Sequence, residues 1–589
     1  MGLSDLNWDD ANLPKAFFAS VAQYNKKPFL YDKKQGEWVG QNWDEIADKV
    51  RRTATLLLEK NVSAGDRVVI CAENRSEWAI CDLAVMSIGA IVVPAYTTNT
   101  EDDHRYILEH SGANFIFASG GMMASRLLLA AAKNNAIKDM VIFENDETIK
   151  GNKSTAVTHF DSAIAGLKPC IDLPSRIDAQ KADDTCCFIY TSGTGGRPKA
   201  VMLTHRSIQS NVDAAGELLE EGAASKDARF LSLLPLSHSY EHTAGMHLPF
   251  QMGSEVWYCE SPDQIALNLT EVQPTLMTAV PRLYEVLHDR ITRGVRAKGG
   301  LSEKLFFKAA DLGAKRARGE SLSLIQAVQD KILDKLVRGK VRARLGGNLK
   351  FFVSGGAALN PEIGFFFLGL GINILQGYGQ TEASPLISAN RPGKIKIDTV
   401  GPAVSGVEVK IAEDGELLAR GACVMKGYWG DDAATASTIK DGWLYTGDIA
   451  EISDDGYISI TGRKKDIIVN SGGDNIAPSR VEALLTIEPE IEQAMVDGDK
   501  RPWLVAVIVP SDELVGQFAK DKKGLKNAVQ TAVDKANSRL SQIEKVRRFV
   551  IADEPFGTEN GQMTPTLKAR RHVVRDVYKD KINALYPKK

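Results

Sequence analysis

Hydrophobic and polar positions follow two different periods along the first half of the chain. Residues 47–59 and 79–88 carry apolar side chains at helical spacing, whereas residues 67–71, 90–94 and 185–190 are short apolar runs that suit buried strands. Helices that alternate with apolar strands are typical of an α/β fold with parallel strands. We therefore predict an α/β fold for this part of the chain.

The pattern changes in later regions. Residues 284–348 are rich in Lys, Arg, Ala and Leu and almost free of strand signals, which predicts two or three amphipathic helices with breaks at Gly299–Gly300 and Gly319. Short strands with hairpin turns begin after Gly401, and helices and strands mix again from Val481 onward.

These changes predict two domains joined by a short connection. A single core rarely grows beyond about 250–300 residues, so a chain of 589 residues is expected to form at least two domains. We assign residues 1–462 to a large N-terminal domain with α/β subdomains and a small β subdomain. Residues 463–466 form the connection, and residues 467–589 form a small α+β C-terminal domain.

Composition and cysteine usage narrow the class of protein. Hydrophobic residues make up 44% and charged residues 25%, which is ordinary for a soluble globular protein and excludes collagen, coiled coil and disorder. The 7 cysteines show neither a disulfide framework nor metal-ligand spacing, so reduced thiols in a cytoplasmic protein are predicted. Residues 1–10 lack the pattern of a signal peptide, and no apolar run reaches the roughly 18 residues of a membrane span.

The net charge of −3 conceals a strong asymmetry along the chain. Residues 290–350 carry 16 Lys/Arg against 5 Asp/Glu, and residues 521–589 carry 16 against 8, which leaves −22 on the remaining residues. Two basic regions of this size indicate an anionic partner, such as a phosphate-rich cofactor, a membrane surface or nucleic acid. No aromatic-interleaved or known nucleic-acid motif accompanies the basic residues, so nucleic-acid binding is not expected.

A loop rich in glycine and hydroxyl residues lies at positions 190–200, with the sequence Tyr-Thr-Ser-Gly-Thr-Gly-Gly-Arg-Pro-Lys-Ala. Its backbone amides and hydroxyl groups can surround phosphate oxygens, although it is not a Walker P-loop, because no Gly-Lys-Ser/Thr opens a helix there. A plain surface turn is the alternative. The candidate phosphate-binding residues are Thr191, Ser192, Gly193, Thr194, Gly195 and Lys199.

This loop resembles the signature of the acyl-adenylate-forming (AMP-binding) superfamily, and four further motifs follow in that superfamily's order. They lie at residues 354–358, 376–383, 443–473 and 560–571. The loop departs from the superfamily pattern at Gly195, where a hydroxyl residue is usual, and at Ala200, where glycine is usual. The missing hydroxyl removes one phosphate donor.

The resemblance implies a role for each matching residue. Lys568 would be catalytic, Lys465 would be the hinge about which the small, mobile domain turns, and Glu382 would bind Mg²⁺. Thr381 would contact the α-phosphate of ATP. The residues expected to hold the adenosine are Gly355, Gly356, Ala357, Tyr378, Gly379, Asp448 and Arg463. Without the resemblance, each motif also fits an ordinary turn or a solvated charge run.

Within the superfamily, the chain resembles long-chain fatty-acid–CoA ligases. Residues 441–478, the basic helical stretch and residues 560–571 carry this likeness. His238 and Tyr240, in Leu-Pro-Leu-Ser-His-Ser-Tyr-Glu-His, are candidates for the entrance of the acyl pocket, with an ordinary hydrogen-bonded loop as the equal alternative.

The resemblance implies an enzyme that uses ATP and Mg²⁺ to convert a long-chain or medium-chain fatty acid to acyl-AMP and then transfers the acyl group to coenzyme A. Alternatives are a fatty acyl-AMP ligase that serves a carrier protein, an aryl- or bile-acid ligase, and an inactive binding homologue. The basic helical segment has two interpretations. It could make peripheral contact with the inner face of a membrane, or it could be a solvated surface or a homo-oligomer contact.

Overall fold

The elements of the chain are given by a computed structural model that describes residues 11–134, 136–191, 197–221, 228–564 and 568–587. The first region contains α1 (Leu13–Tyr24), β1 (Pro28–Lys34), β2 (Glu37–Asn42), α2 (Trp43–Glu59), β3 (Arg67–Cys71), α3 (Ser76–Ser87), β4 (Ile91–Pro94), α4 (Glu101–Ser111), β5 (Phe115–Ala118), α5 (Gly121–Ala131), β6 (Asp139–Ile142), β7 (Ala156–His159), α6 (Phe160–Ala165), α7 (Leu173–Asp178), β8 (Thr185–Thr191), β9 (Lys199–Thr204) and α8 (His205–Glu221).

The second region begins with a strand and contains the long basic helices. Its elements are β10 (Arg229–Ser232), α9 (Ser239–Glu241), a π-helical turn (His242–His247), α10 (Leu248–Met252), β11 (Glu255–Tyr258), a 3₁₀ turn (Pro262–Gln264), α11 (Ile265–Val272), β12 (Leu276–Ala279), α12 (Pro281–Lys298), α13 (Gly300–Ala317), α14 (Leu324–Leu333), a second π-helical turn (Asp334–Arg338), α15 (Gly339–Arg344), β13 (Phe351–Ser354), α16 (Pro361–Gly369), β14 (Ile374–Gly379), a 3₁₀ turn (Thr381–Ala383) and β15 (Leu386–Ala389).

The remaining elements are short strands followed by the C-terminal helices and strands. They are β16 (Val407–Ile411), β17 (Glu416–Gly421), β18 (Gly427–Tyr428), α17 (Asp432–Thr438), β19 (Ile439–Lys440), β20 (Trp443–Ile452), β21 (Ile458–Arg463), β22 (Ile468–Val469), β23 (Asn475–Ile476), α18 (Pro478–Leu485), β24 (Ile491–Asp497), β25 (Leu504–Pro510), α19 (Asp512–Gln517), α20 (Lys522–Asn537), β26 (Val546–Ile551), α21 (Arg571–Val577) and α22 (Lys579–Asn583).

Two eight-stranded sheets form the centre of the molecule. Their strand orders are β15-β14-β13-β12-β10-β11-β1-β2 and β18-β9-β8-β4-β3-β5-β6-β7. Most strands pair in parallel, whereas β2, β15, β9 and β18, at or next to the sheet edges, pair antiparallel. The predicted α/β class is therefore confirmed.

Helices pack on these sheets through the apolar faces that the sequence pattern predicts. Helix α2 begins at a capping box, in which Asn42 accepts from the backbone of Glu45 and the Glu45 carboxylate accepts from the backbone of Asn42. Its residues Ile46, Val50 and Leu57 are fully buried in the largest core cluster, which also contains residues from both sheets. This shared core joins the two sheets.

The basic segment forms helices α12 to α15, with interruptions at Gly299 and in the stretch that contains Gly319. Arg338 is completely buried and fixes this group of helices. Its guanidinium donates to the carbonyl oxygens of Gly369 at 2.6 Å and Ala309 at 2.7 Å, and it pairs with Asp330. One charged side chain therefore ties α13, α14 and α16 together.

The strands before and after the end of β21 belong to different sheets. Strands β16 to β21, without β18, form a small antiparallel sheet, and β21 ends at Arg463. Residues 464–466 form a turn, after which β24, β25 and β26 build a separate three-stranded sheet covered by α18 and α20. Within the described parts of the chain, no helix is long and apolar enough to cross a membrane.

Candidate functional site

Asp448, Arg463 and Tyr378 meet at the junction of the small antiparallel sheet with β14. Strands β20 and β21 pair with Asp448 opposite Arg463, so the hairpin register brings the two side chains together. Asp448 accepts from Arg463 Nε at 3.2 Å and from the Tyr378 hydroxyl at 2.6 Å. Burial and the neighbouring Asp448 charge raise the pKa of Tyr378 well above its usual value, so the phenol stays protonated.

The glycine-rich segment that follows β13 lies against Tyr240 and is held by Gln376. A side chain at Gly355 would come within 3.1 Å of the Tyr240 ring, whose hydroxyl donates to the Val353 carbonyl at 2.8 Å. Gly356 adopts a positive φ of 81°, and Ala357 is exposed. Gln376 accepts from the Leu359 backbone at 3.0 Å and so fixes this segment to β14.

Gly379 lies where β14 turns toward β15. A Cβ atom at this position would lie 1.9 Å from the Pro385 carbonyl oxygen, so only glycine fits the close approach of the two backbones. The turn that follows contains Thr381 and Glu382. The backbone packing therefore explains why this glycine precedes the two polar residues.

Glu382 is connected to Lys199 through Tyr428. The Tyr428 hydroxyl donates to Glu382 Oε1 at 2.8 Å, and the Lys199 ammonium lies 4.6 Å from the Tyr428 ring centroid. Lys199 also pairs with Asp431 at 3.8 Å. The pairing of β18 with β9 and of Thr191 with Lys199 across β8 and β9 brings these residues together.

Thr381 and His238 approach the same region from neighbouring elements. The Thr381 hydroxyl lies 3.1 Å from the Ser239 hydroxyl. His238 caps α9, because its Nδ1 accepts from the Tyr240 backbone at 3.2 Å. Burial and the positive charge of Lys568 lower the pKa of His238 to about 4, so this imidazole is neutral at pH 7.

Lys568, in the C-terminal part of the chain, lies near enough for its charge to act on these residues. Loss of surrounding water lowers the pKa of its ammonium, the Arg463 charge lowers this pKa further, and Asp448 and Glu382 oppose both effects. The Lys568 side chain is nevertheless exposed to solvent. Its backbone is held by paired hydrogen bonds with Thr564.

The turn at residues 464–466 separates two sets of contacts. Lys464 pairs with Asp414 at 2.5 Å and Glu416 at 2.8 Å, which fixes it to the small antiparallel sheet. Arg571 pairs with Glu482 on the other side of the turn. Lys465 is exposed, and its side chain forms no hydrogen bond or ion pair within the described parts of the chain.

Part of the phosphate-loop prediction lies outside the described residues, namely Ser192, Gly193, Thr194 and Gly195. The structure adds polar residues that the sequence did not single out. Tyr428, Asp431 and Ser239 contact predicted site residues, and Gln376 fixes the glycine-rich segment after β13. Gln376 lies in a motif quoted from the sequence. Tyr428 and Asp431 lack such a motif, because only the pairing of β18 with β9 reveals their position.

The cleft therefore combines groups that suit a nucleotide and a metal. Glu382 accepts one hydrogen bond, from Tyr428, and no hydrogen bond to its second carboxylate oxygen is found among the described residues. Asp448 offers a buried carboxylate next to an aromatic ring and a guanidinium. Lys568 adds a cation whose charge interacts with both carboxylates. Such an arrangement can bind phosphate and ribose and can stabilise negative charge that develops on phosphoryl oxygens.

Comparison with known proteins agrees with this chemistry. Residues 17–429 match the family described as "AMP-binding enzyme", and residues 465–589 match "AMP-binding enzyme C-terminal domain". The chain is 34% identical over 570 residues to the long-chain-fatty-acid–CoA ligase FadD15 of Mycobacterium tuberculosis, covering 94% of this chain and 93% of that protein.

A second relative is the long-chain-fatty-acid–CoA ligase ACSBG2 of Gallus gallus, which is 28% identical over 97% of this chain and 81% of its own length. Among solved structures, the adenylation domain of a carboxylate reductase from Mycobacterium chelonae superposes with a TM-score of 0.77 at 20% identity, covering 98% of this chain and 91% of that one. At this identity the structural likeness establishes a shared fold.

Proposed function

Because the chain belongs to the AMP-binding enzyme family, we propose that it activates a long-chain or medium-chain fatty acid with ATP and transfers the acyl group to coenzyme A. The products are acyl-CoA, AMP and pyrophosphate. The observation that carries this proposal is the hydrogen-bonded group of Asp448, Arg463 and Tyr378, on which the charge of Lys568, from the C-terminal part of the chain, also acts.

We assign the adenosine to the cleft between the glycine-rich segment and the small antiparallel sheet. Tyr378 would stack on the base together with Gly355, Gly356, Ala357 and Gly379. Asp448 and Arg463 would bind the ribose hydroxyls, since a buried carboxylate accepts from hydroxyl donors. The Thr381 hydroxyl and the loop from Thr191 to Lys199 would contact the phosphates.

Glu382 is the candidate ligand of Mg²⁺. A carboxylate oxygen is a suitable ligand for this ion, and the Tyr428 hydrogen bond would fix the orientation of the Glu382 carboxylate. When bound, the ion would offset negative charge on the phosphates. The chain's own contribution is to hold the carboxylate at the edge of the cleft.

The first half-reaction requires no general base, because a fatty acid is ionised at pH 7. A carboxylate oxygen attacks the α-phosphorus of ATP, the bond to the bridging oxygen breaks, and pyrophosphate leaves. Negative charge grows on the phosphoryl oxygens and on the leaving group, so a cation fixed beforehand lowers the barrier. Lys568 would supply that cation, and the charges of Asp448 and Glu382 favour its protonated form.

The second half-reaction needs room for the coenzyme A thiol, which attacks the acyl carbonyl after losing its proton while AMP leaves. Lys568 would obstruct this approach. Rotation of residues 467–589 about Lys465 would withdraw it. The turn at residues 464–466 supports this assignment, because Lys464 is fixed to the small antiparallel sheet, whereas Arg571 is fixed to α18 beyond the turn.

The assignment of a fatty acid as the acyl substrate rests on the names of the two relatives. Both are called long-chain-fatty-acid–CoA ligases, and their similarity covers most of this chain. His238 and Tyr240 are proposed at the entrance of the acyl pocket. The neutral state of His238 at pH 7 suits an apolar substrate. Homo-oligomer formation remains a prediction.

ATP–pyrophosphate exchange with palmitate, followed by thioester formation after addition of coenzyme A, tests the proposal. We expect Lys568→Met to reduce exchange at least about a hundredfold, because a fixed charge-stabilising group is lost. The same variant should convert synthetic palmitoyl-AMP and coenzyme A to thioester at nearly the wild-type rate. Lys465→Met is the matched variant and should show the opposite pattern.

Three results would contradict the proposal. Exchange without any thioester would point to an acyl-AMP ligase that serves a carrier protein. Exchange that is unaffected by Lys568→Met would remove Lys568 from the reaction. No exchange with a short, a long and an aryl acid would identify an inactive binding homologue.

A further inference from the structure

Helix α14 is turned with its apolar side toward solvent. The exposed fractions of its large apolar side chains are 89% for Leu324, 72% for Ile325, 60% for Val328 and 53% for Ile332, and Leu336 in the following π-helical turn is 51% exposed. Residues at i, i+4 and i+8 share one side of a helix, so these side chains form a continuous stripe. We call these five residues the α14 stripe.

The opposite side of α14 attaches the helix to the protein through one charged residue and one apolar residue. Its buried residues are Asp330 and Leu333. Asp330 pairs with Arg316 at 3.0 Å and with the buried Arg338. A helix in a soluble protein normally buries its apolar side and exposes its polar side. Here the arrangement is reversed, so the apolar side remains available to a partner.

Basic side chains surround the stripe. Lys331, Lys335, Lys340 and Arg344 are exposed, and within the described parts of the chain none of the four forms an ion pair. Two other basic residues of this stretch, Arg338 and Arg342, pair with Asp330 and Asp334. The charge that remains uncompensated is therefore positive and lies next to exposed apolar surface.

We propose that the α14 stripe and these four basic residues form a docking surface for an anionic lipid bilayer. The apolar side chains of the stripe would enter the boundary between lipid headgroups and acyl chains. The three lysines and the arginine would contact lipid phosphates. An amphipathic helix with basic flanks has these two properties. The inference goes beyond the proposed reaction, because binding to lipid needs no turnover.

Charge selects a bilayer over a second copy of the chain. In a symmetric dimer the same surface would face itself, and the four uncompensated cations would meet four more across an apolar contact. An anionic bilayer instead neutralises them. Apolar contact and charge attraction then act in the same direction.

Sedimentation with phosphatidylcholine vesicles, with and without phosphatidylglycerol, tests the proposal. We expect the wild-type protein to sediment with anionic vesicles and to be released by salt. Serine at positions 324, 325, 328 and 332 should weaken binding at least about tenfold. Lys331→Gln, Lys335→Gln and Lys340→Gln together should weaken it about fivefold for each lysine removed.

Matched controls come from exposed apolar residues elsewhere. Ile171 and Met122 are 92% and 73% exposed, so Ile171→Ser with Met122→Ser changes apolar surface without touching α14. This control should bind vesicles as the wild type does. Pyrophosphate exchange at the wild-type rate, measured without vesicles, verifies that each variant is folded, because these residues lie outside the residues assigned to the proposed site.

Either of two results would overturn the proposal. One is vesicle binding that is absent in the wild type or unchanged in the α14 serine variant. The other is a wild-type dimer, measured by light scattering without lipid, that becomes a monomer in the serine variant, because the stripe would then cover a second copy of the chain.

Discussion

A buried carboxyl group next to the predicted acyl-pocket residues offers a test at the scale of single residues. Glu241 is completely buried and accepts from the Ser232 hydroxyl at 2.6 Å and the Thr278 hydroxyl at 2.5 Å. Gly245 is required beside it, because a Cβ atom there would lie 2.3 Å from the carboxyl group. Burial raises the pKa of Glu241 from 4.5 to about 7, and the two hydroxyl donors lower it in part.

This pKa predicts a pH-dependent stability. Between pH 4.5 and about 7 the folded protein holds a proton that the unfolded chain has lost, so the contribution of Glu241 to stability falls as pH rises through this window. Glu241→Gln removes the titration. The melting temperature of the variant should therefore rise relative to that of the wild type between pH 5 and pH 8. The corresponding change in the free energy of unfolding is at most about 3 kcal/mol.

Differential scanning calorimetry across this pH range measures the difference. Glu109→Gln, at an exposed position of α4, is the control and should track the wild type at every pH. A difference between Glu241→Gln and wild type that stays constant with pH would show that Glu241 keeps the same charge in both states.

At the scale of elements, Arg338 determines how the basic helices pack. Its guanidinium donates to three backbone carbonyls, of Gly369, Ala309 and Asp330, and pairs with the Asp330 carboxylate in the interior. Arg338→Met would leave these acceptors without their donor, and breaking a buried ion pair costs about 3–5 kcal/mol. We expect α14 to detach first, which faster proteolytic cleavage within residues 320–340 would reveal.

Arg342→Met is the matched control, because Arg342 pairs with Asp334 at the surface, where an ion pair contributes about 0–1 kcal/mol. Cleavage of this control should resemble that of wild type. Equal cleavage rates for both variants would contradict the role of Arg338.

The elements also show how far the sequence predicts the fold. Apolar spacing correctly indicated α2, and Gly299–Gly300 correctly indicated the break between α12 and α13. The same spacing in α14 would predict a buried apolar face, yet the α14 stripe is exposed, and the helix is held by the Arg338–Asp330 pair and by Leu333. Local periodicity reports an amphipathic helix, but tertiary partners decide which side it buries.

The candidate site was predictable where a motif is contiguous and not where residues meet across strands. Asp448 and Arg463 lie in quoted motifs, and the hairpin register of β20 and β21 joins them. Tyr428 contacts Glu382 and Lys199 only because β18 pairs with β9. Such a pairing between distant segments leaves no signal in local sequence.

At the scale of the whole molecule, two ion pairs connect the basic helix α12 to the C-terminal sheet region. Arg282 lies 3.5 Å from Glu492, and Arg293 lies 3.5 Å from Glu513. Both pairs join parts of the chain on opposite sides of the turn at residues 464–466. Rotation about Lys465, as proposed, would break them, so they favour the orientation in which Lys568 approaches Glu382 and Asp448.

We expect the combined Glu492→Gln and Glu513→Gln variant to favour thioester formation over adenylation. Each exposed pair contributes about 0–1 kcal/mol, so removal of both should shift the ratio of the two half-reaction rates by up to about thirtyfold. Pyrophosphate exchange and thioester formation from palmitoyl-AMP, measured separately at low salt, give this ratio. High salt should produce the same shift in the wild type, because salt screens exposed pairs.

Glu408→Gln is the matched control, because Glu408 pairs with Arg420 within the small antiparallel sheet and does not cross the turn. Its ratio should equal that of the wild type at low salt. If the double variant changes both half-reactions by the same factor, the two ion pairs stabilise the protein without selecting an orientation. A shift in the ratio would instead link the basic segment to the order in which the two half-reactions occur, because α12 would hold the C-terminal domain until the adenylate has formed.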